Sequence, residues 1–226
     1  MSIPLVKTLK TGALDNNPVW AQLLGLCPLL AVSNNVTNAI GLAFASALVL
    51  VGANGSIALV RGRIPEFARL PCFVLIIASF TTIAMLVMQA FAYDLYLKIA
   101  LFIQIIVTNC MILGRAERFA SRQPVAAALA DAVGTAFGFA IALISLGAVR
   151  ELLATGGLFA QMELLFGPGA ANLQLSLFDG GMLLAALPPG AFIIAGLLLA
   201  LKNRLSTSTR PETVRPPAEE ADRQSP

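Results

Sequence analysis

The chain has 226 residues, 58% of them hydrophobic and only 12% charged, with a mean hydropathy of +0.82 and a formal net charge of +3. Soluble domains carry about 25% charged residues, so an ordinary globular fold is excluded and an integral membrane protein is indicated. Histidine, the commonest metal and haem ligand, is absent, which leaves Cys27, Cys72 and Cys110 as the only thiol donors.

Met1–Asn17 is polar and reads as a cytoplasmic lead-in without a cleavable signal. From Asn16 to Val60 there is no Asp, Glu, Lys or Arg, a run of 45 residues. As helix it would measure about 67 Å, two crossings of a hydrocarbon core roughly 30 Å thick. Charged clusters divide the chain into six apolar segments, about Trp20–Ser33, Ala39–Val60, Leu70–Ala90, Ile99–Gly114, Val125–Val149 and Met182–Leu201. Three regions result: an N-terminal segment 1–17, a six-span membrane domain 18–203, and a tail 204–226 whose Pro, Glu, Arg and Ser content predicts a disordered cytoplasmic end. The one long loop, Glu151–Asp179, mixes Gly156-Gly157 and Gly167-Pro168-Gly169 turns with apolar pieces, and is expected at the interface or under a partner. With six crossings, 13 of the 15 Lys and Arg residues fall on one side, and only Lys98 and Arg150 lie opposite. The positive-inside rule then puts both termini in the cytoplasm.

Two segments are too short for a helix that crosses unaided, which needs about 20 residues. Trp20–Ser33 has 14 and Ile99–Gly114 has 16. They open two successive three-span halves, and short segments at matching positions point to an inverted repeat with its site near the midplane. The predicted fold class is therefore an all-α membrane protein of six transmembrane helices, arranged as two inverted three-helix repeats with short or broken first and fourth spans.

Each short segment carries a cysteine. Pro28 follows Cys27 directly, which disfavours helical geometry at Cys27 and predicts a break or kink there. Thr108 and Asn109 precede Cys110 and offer two hydrogen-bonding side chains beside the thiol. Counted along helices from Trp20 and from Arg115, the thiols lie about 10 Å and 8 Å inside the cytoplasmic face. An inverted repeat would instead bring them together at the midplane. A lone membrane cysteine is ordinarily a small apolar filler, and Cys72, beside Pro71 with no counterpart, is read so. Iron–sulfur clusters usually take four thiolates. If Cys27 and Cys110 bind metal, another chain must supply the remaining pair.

Asp131 is the one acid well inside an apolar segment and is a candidate for ion coupling, against a hydrated position or an interhelical hydrogen bond. Gly134 and Gly138 form a small-xxx-small pair that permits close helix packing. Arg115, Glu117 and Arg118 are expected to anchor the cytoplasmic end of the fourth span, with docking of a soluble redox subunit the weaker alternative. Arg150-Glu151 is expected to end the fifth span on the far side, where a local ion pair would stabilise little if exposed. From the residues alone three readings stay open. They are an electron-relay subunit, an inverted-repeat transporter binding a small solute or ion at Thr108, Asn109 and Asp131, and a structural subunit with inert cysteines. No glycine-rich strand–helix fingerprint appears, so no NAD or flavin is expected on this chain, nor is nucleic acid a partner.

The segments Asn16-Asn17-Pro18, Leu24-Gly25-Leu26-Cys27-Pro28-Leu29-Leu30-Ala31-Val32, Ile106-Val107-Thr108-Asn109-Cys110, Gly114-Arg115-Ala116-Glu117 and Leu187-Pro188-Pro189-Gly190-Ala191-Phe192 resemble one family of membrane subunits. It comprises the E subunit of the Rnf electron transport complex and the D subunit of the sodium-pumping NADH:quinone reductase. The similarity covers about residues 10 to 203, and the Leu-Cys-Pro and Leu-Pro-Pro-Gly-Ala-Phe forms favour the Rnf branch. The resemblance implies a bacterial inner-membrane subunit paired with a homologous, oppositely oriented A subunit, alongside subunits of B, C, D and G types and membrane lipid. It implies that Cys27 and Cys110 each ligate iron, most simply in a 2Fe–2S cluster shared with the A subunit. It also implies a complex that couples electron flow between NADH and ferredoxin to sodium or proton movement.

Overall fold

The computed structural model describes residues 19–158, 175–176 and 187–205. The N-terminal segment, most of the tail and most of the long loop lie outside them. Helices dominate: α1 (Leu26–Val32), α2 (Val36–Val60), α3 (Arg69–Phe91), α4 (Tyr93–Ile105), α5 (Cys110–Arg115), α6 (Val125–Thr155) and α7 (Pro188–Leu205). Among the described residues, four helical stretches are long and apolar enough to cross a membrane: Val36–Val60, Glu66–Phe91, Tyr93–Ala120 and Val125–Thr155. One departure from an all-helical chain is a two-residue antiparallel ladder, β1 (Gly157–Leu158) with β2 (Leu175–Ser176), pairing Gly157 with Ser176 at the ends of the long loop.

The core is an antiparallel pair. In the apolar windows of α2 and α6, 61% and 56% of residues are buried, against 22% and 33% in the stretches Glu66–Phe91 and Tyr93–Ala120. The central helices are thus hidden by protein and the flanking ones face outward. Gly55 lies against Leu129 at one end of the pair, and Gly147 lies against Ala39 and the Val36 backbone at the other. A methyl group on Gly147 would stand 3.2 Å from Ala39 Cβ, so small residues set how closely these helices approach. Gly134 and Gly138 are buried on the same helix, consistent with their packing role. Outward faces carry Phe44, Leu75, Leu101, Phe137 and Leu197, all more than half exposed. A water-soluble protein would bury such side chains; hydrocarbon leaves them no reason to be covered.

Several boundaries differ from the sequence expectation. The first segment is shorter still: Val19–Gly25 runs in turns, and α1 has seven residues, about 10 Å of helix. The fourth segment is broken rather than short. Its helical path starts at Tyr93, on the far side of Lys98, and continues through a wide turn to Ala120. Lys98 misleads as a loop marker because a long exposed side chain near a helix end can keep its ammonium in the polar interface. The fifth segment runs six residues past Val149, to Thr155, where Gly156 takes a left-handed conformation (φ 69°) and its amide closes on the Leu152 carbonyl. The sixth is described from Leu187 onward, so its expected start at Met182 lies outside the described residues.

Arg150 and Glu151 are therefore helical, and both are about 1% exposed, not an exposed surface pair. Each serves a helix terminus. Arg150 Nη1 donates to the Leu30 carbonyl near the C-terminus of α1 and to Ser33 Oγ, both at 3.1 Å. Glu151 Oε2 accepts the Val36 amide at 2.8 Å, in place of a side-chain cap from Asn35. A cation at a C-terminus and an anion at an N-terminus both complement the helix dipole. Together they pin the tight Ser33–Asn35 link between α1 and α2 from a helix more than 110 residues away. Glu151→Leu should therefore orphan a buried amide and lower stability by roughly 1–3 kcal/mol. Glu151→Gln, which keeps an acceptor oxygen, should cost much less, as thermal unfolding of the detergent-solubilised protein would record.

Candidate redox site at two broken helices

Cys27 and Cys110 occupy equivalent places in two half-helices. Cys27 is the second residue of α1 and Cys110 the first of α5. The predicted kink at Cys27 itself is displaced: the thiol sits in helix, and the break falls just before it. There Gly25 has φ 79°, and Leu23 (φ 53°) is the only non-glycine with positive φ among the described residues. Pro28 is tolerated because it stands in the first turn, where its missing amide would have had no helical partner. On the second half-helix the break is a tight turn, Ile106–Thr108, followed by extended backbone at Asn109 (φ −66°, ψ 113°). Asn109 Oδ1 then accepts the Met111 amide at 3.0 Å, which starts α5 and sets Cys110 at its first position.

The two breaks meet. A Cβ placed on Gly25 would stand 3.3 Å from Asn109 Oδ1, from Met111 Cβ and from the Phe139 ring. The N-terminal ends of α1 and α5 therefore abut. Phe139 lies next to the midpoint of the 31-residue α6, so the junction sits level with the middle of that helix. From that junction α1 runs towards Arg150, and α5 runs the other way, towards Asp131. Of the two depths the sequence leaves open, near one face or at the midplane, a junction level with the middle of α6 fits the second. The count from Arg115 takes that residue as the membrane edge, whereas the helical path continues to Ala120, ten residues or about 15 Å from Cys110.

Both thiols are exposed on the described surface. Cys27 lines a cavity of about 460 Å³ shared with Leu30, Asn34, Arg150, Pro188 and Phe192, so the Leu-Pro-Pro-Gly-Ala-Phe stretch borders the first cysteine. Cys110 Sγ lies 4.0 Å from the Thr108 carbonyl. Of the two polar residues before Cys110, Asn109 is buried and caps the helix, while Thr108 is exposed and its hydroxyl turns back to the Ile105 carbonyl. Among the described residues no cluster of three or more His, Cys, Asp or Glu could enclose a metal ion. Two exposed soft donors beside helix N-termini do fit half of a thiolate-ligated iron site.

Asp131 is 3% exposed, and its Oδ1 lies 3.6 Å from Arg115 Nη1. The pair ties the end of α5 to α6, with the Arg115 side chain half-buried. Asp131 Oδ2 has no hydrogen-bond partner among the described residues. Asp131 lies at the α5 end, away from the thiol junction.

Gly25, Phe139 and Arg150 belong to the site, and sequence reasoning misses all three. Gly25 leaves a faint local signal, a glycine two residues before the cysteine. Arg150-Glu151 leaves another, since the apolar run resumes at Leu152-Leu153-Ala154 beyond it. Phe139 leaves none, because its role is a long-range contact.

A multi-pass helical membrane subunit offering two thiols at a central helix break is a component of a larger redox or transport assembly in form. Residues 5–199 match the family model described as "Rnf-Nqr subunit, membrane protein". The chain belongs to the Rnf-Nqr family of membrane subunits. A relative from Pseudomonas paraeruginosa (strain DSM 24068 / PA7), named as the E subunit of the ion-translocating oxidoreductase complex, is 53% identical over 201 residues, covering 88% of this chain and 84% of its own length. The protein of the same name from Vibrio vulnificus (strain YJ016) is 49% identical over 220 residues, covering 95% and 96%. A third, from Pseudoalteromonas atlantica (strain T6c / ATCC BAA-1087), is 50% identical over 196 residues, covering 86% and 84%.

Asn109→Ala should remove the cap that begins α5 and cost about 0.5–2 kcal/mol, with Asn109→Asp or Ser recovering most of it. Urea or thermal unfolding of the solubilised protein, compared across the three variants, measures this directly.

Proposed function

We propose that this chain is the E-type membrane subunit of an ion-translocating, ferredoxin/NADH-type electron transport complex, and that Cys27 and Cys110 supply half the ligands of an iron–sulfur centre. The observation that carries it is the convergence of two cysteine-bearing half-helix N-termini level with the middle of α6, with both thiols exposed. A homologous A subunit would contribute the other two thiolates across that surface. The names of the relatives support the assembly, and the remaining B, C, D and G types complete it. In the same proposal the chain is a six-span inverted repeat in the inner membrane with cytoplasmic termini. The opposed directions of α1 and α5 about one junction support that symmetry.

Bound between the subunits, a 2Fe–2S cluster would supply a one-electron relay. The work of this chain's residues is to make a negatively charged thiolate set tolerable at membrane depth, where isolated charge is prohibitive. Helix N-termini do so without adding a cation. Not every amide there is available: Met111's goes to Asn109 Oδ1, Leu29's to the Gly25 carbonyl, and Pro28 has none. Of the other first-turn amides, those of Leu26, Cys27, Cys110 and Ile112 are the ones this proposal directs at sulfur. Gly25 lets the two ends approach, and Asn109 holds Cys110 in place.

Cys27→Ser and Cys110→Ser should each abolish the dithionite-reducible iron signal in low-temperature EPR of the purified complex, and electron transfer with it, while subunits still co-purify. Full iron content and undiminished turnover in both variants would overturn the assignment. Asp131 is this chain's proposed ion-coupling residue, supported by a buried carboxylate paired through one oxygen only. Asp131→Asn should leave the iron signal intact and reduce ion movement per electron several-fold, measured in proteoliposomes. Unchanged ion-to-electron stoichiometry would confine Asp131 to a structural pair.

A further inference from the structure

We infer that Arg150 is a positioning residue for Cys27, fixing the half-helix that presents this thiol and setting the reduction potential of the centre it ligates. The inference rests on the proposal that Cys27 is an iron ligand. Three observations carry it. Arg150 is the largest fully buried side chain among the described residues, at 1% exposure, and burying a guanidinium is costly unless its donors are engaged. Its Nη1 holds the C-terminal end of α1 through the Leu30 carbonyl and, just past the helix, through Ser33 Oγ, each at 3.1 Å. Finally, Arg150 and Cys27 line the same cavity of about 460 Å³.

Geometry links the two ends of α1. Leu30 lies three residues beyond Cys27, about 4.5 Å of rise along the same face of a seven-residue helix. So short a helix is not stable on its own. Its orientation depends on what grips its ends. Gly25 packs against Asn109 and Phe139 at the thiol end, and Arg150 binds the other. Arg150 also brings a positive charge into the cavity that Cys27 borders. Reduction adds one negative charge to the centre, so a nearby buried cation favours the reduced form.

The neighbour Glu151 gives an internal comparison. It is equally buried on the same turn but grips α2 through the Val36 amide, and it carries the opposite charge. Removing the positive charge should lower the potential, whereas removing the negative one should raise it or leave it unchanged. Loosened packing would push both the same way.

The test is a redox titration of the EPR-detected iron signal in the intact complex, comparing the unsubstituted protein with Arg150→Met, Arg150→Lys and Glu151→Gln. The expected result is retained iron with a more negative midpoint in Arg150→Met. The reduced-to-oxidised ratio at fixed potential should fall about tenfold, equivalent to about 59 mV for one electron. Arg150→Lys, which keeps the charge but loses the planar fork, should fall between, and it gives the reading if the Met variant does not assemble. A midpoint unmoved in both Arg150 variants would overturn the inference, as would a shift in the same direction for Glu151→Gln. Absence of any iron signal in the unsubstituted complex would instead remove the underlying assignment of Cys27.

Discussion

A helix interrupted in hydrocarbon must have its exposed amides and carbonyls satisfied by protein, because lipid offers no hydrogen bonds. This chain interrupts two, and most of its unusual residues answer that one constraint. Asn109 replaces a backbone acceptor with its own side-chain oxygen. Arg150 and Glu151 bind the carbonyl end of α1 and the amide end of α2. Gly25 accepts a backbone conformation that a side chain would strain, at a point where it would also crowd Asn109 and Phe139. The antiparallel pair of α2 and α6 is the scaffold on which these repairs are mounted. Its length lets α6 reach both ends of the break, with Asp131 near one and Arg150 near the other.

The placement of charge follows. Asp131, Arg150 and Glu151 are the fully buried charged residues among those described, and each engages a helix end or an ion partner. Asp131 and Arg150 engage the ends of α5 and α1 that lie away from the junction. A positive side chain directly at the junction would neutralise a thiolate set but would need burial of its own charge whenever the set was less negative. Helix N-termini avoid that, since their partial charges are fixed in the backbone and cannot be left unpaired as a whole ion. Arg150 engages the end of α1 opposite the junction, where the Leu30 carbonyl and Ser33 Oγ accept from it.

Much of this is legible in the sequence, through signals that are local. Charge-free runs mark the apolar segments that become the long helices α2, α3 and α6. Brevity of the first segment and Leu-Gly-Leu-Cys-Pro point to a break beside Cys27, although the strain falls at Leu23 and Gly25. Thr108-Asn109-Cys110 points to hydrogen bonding near the second thiol, where Asn109 caps and Thr108 does not. Illegible features are those set by tertiary contact. Lys98 and Arg150 read as loop markers because a charge in an apolar run ordinarily ends it. One is instead exposed on a continuing helix and the other buried in one. Phe139, which fixes the level of the junction, is one apolar residue among many.

The exposure of both thiols bears on what kind of site this is. In hydrocarbon an exposed side chain meets lipid or another chain, so what sets these two thiols apart is the support beneath them rather than their exposure alone. Here the residues around them, Gly25, Asn109 and Phe139, are tightly placed, with Asn109 and Phe139 fully buried, while the sulfurs are not. Rigid support beneath an uncovered donor is the arrangement expected where the remaining ligands arrive on another surface. The absence of histidine sharpens it further, because no imidazole in this sequence could take their place.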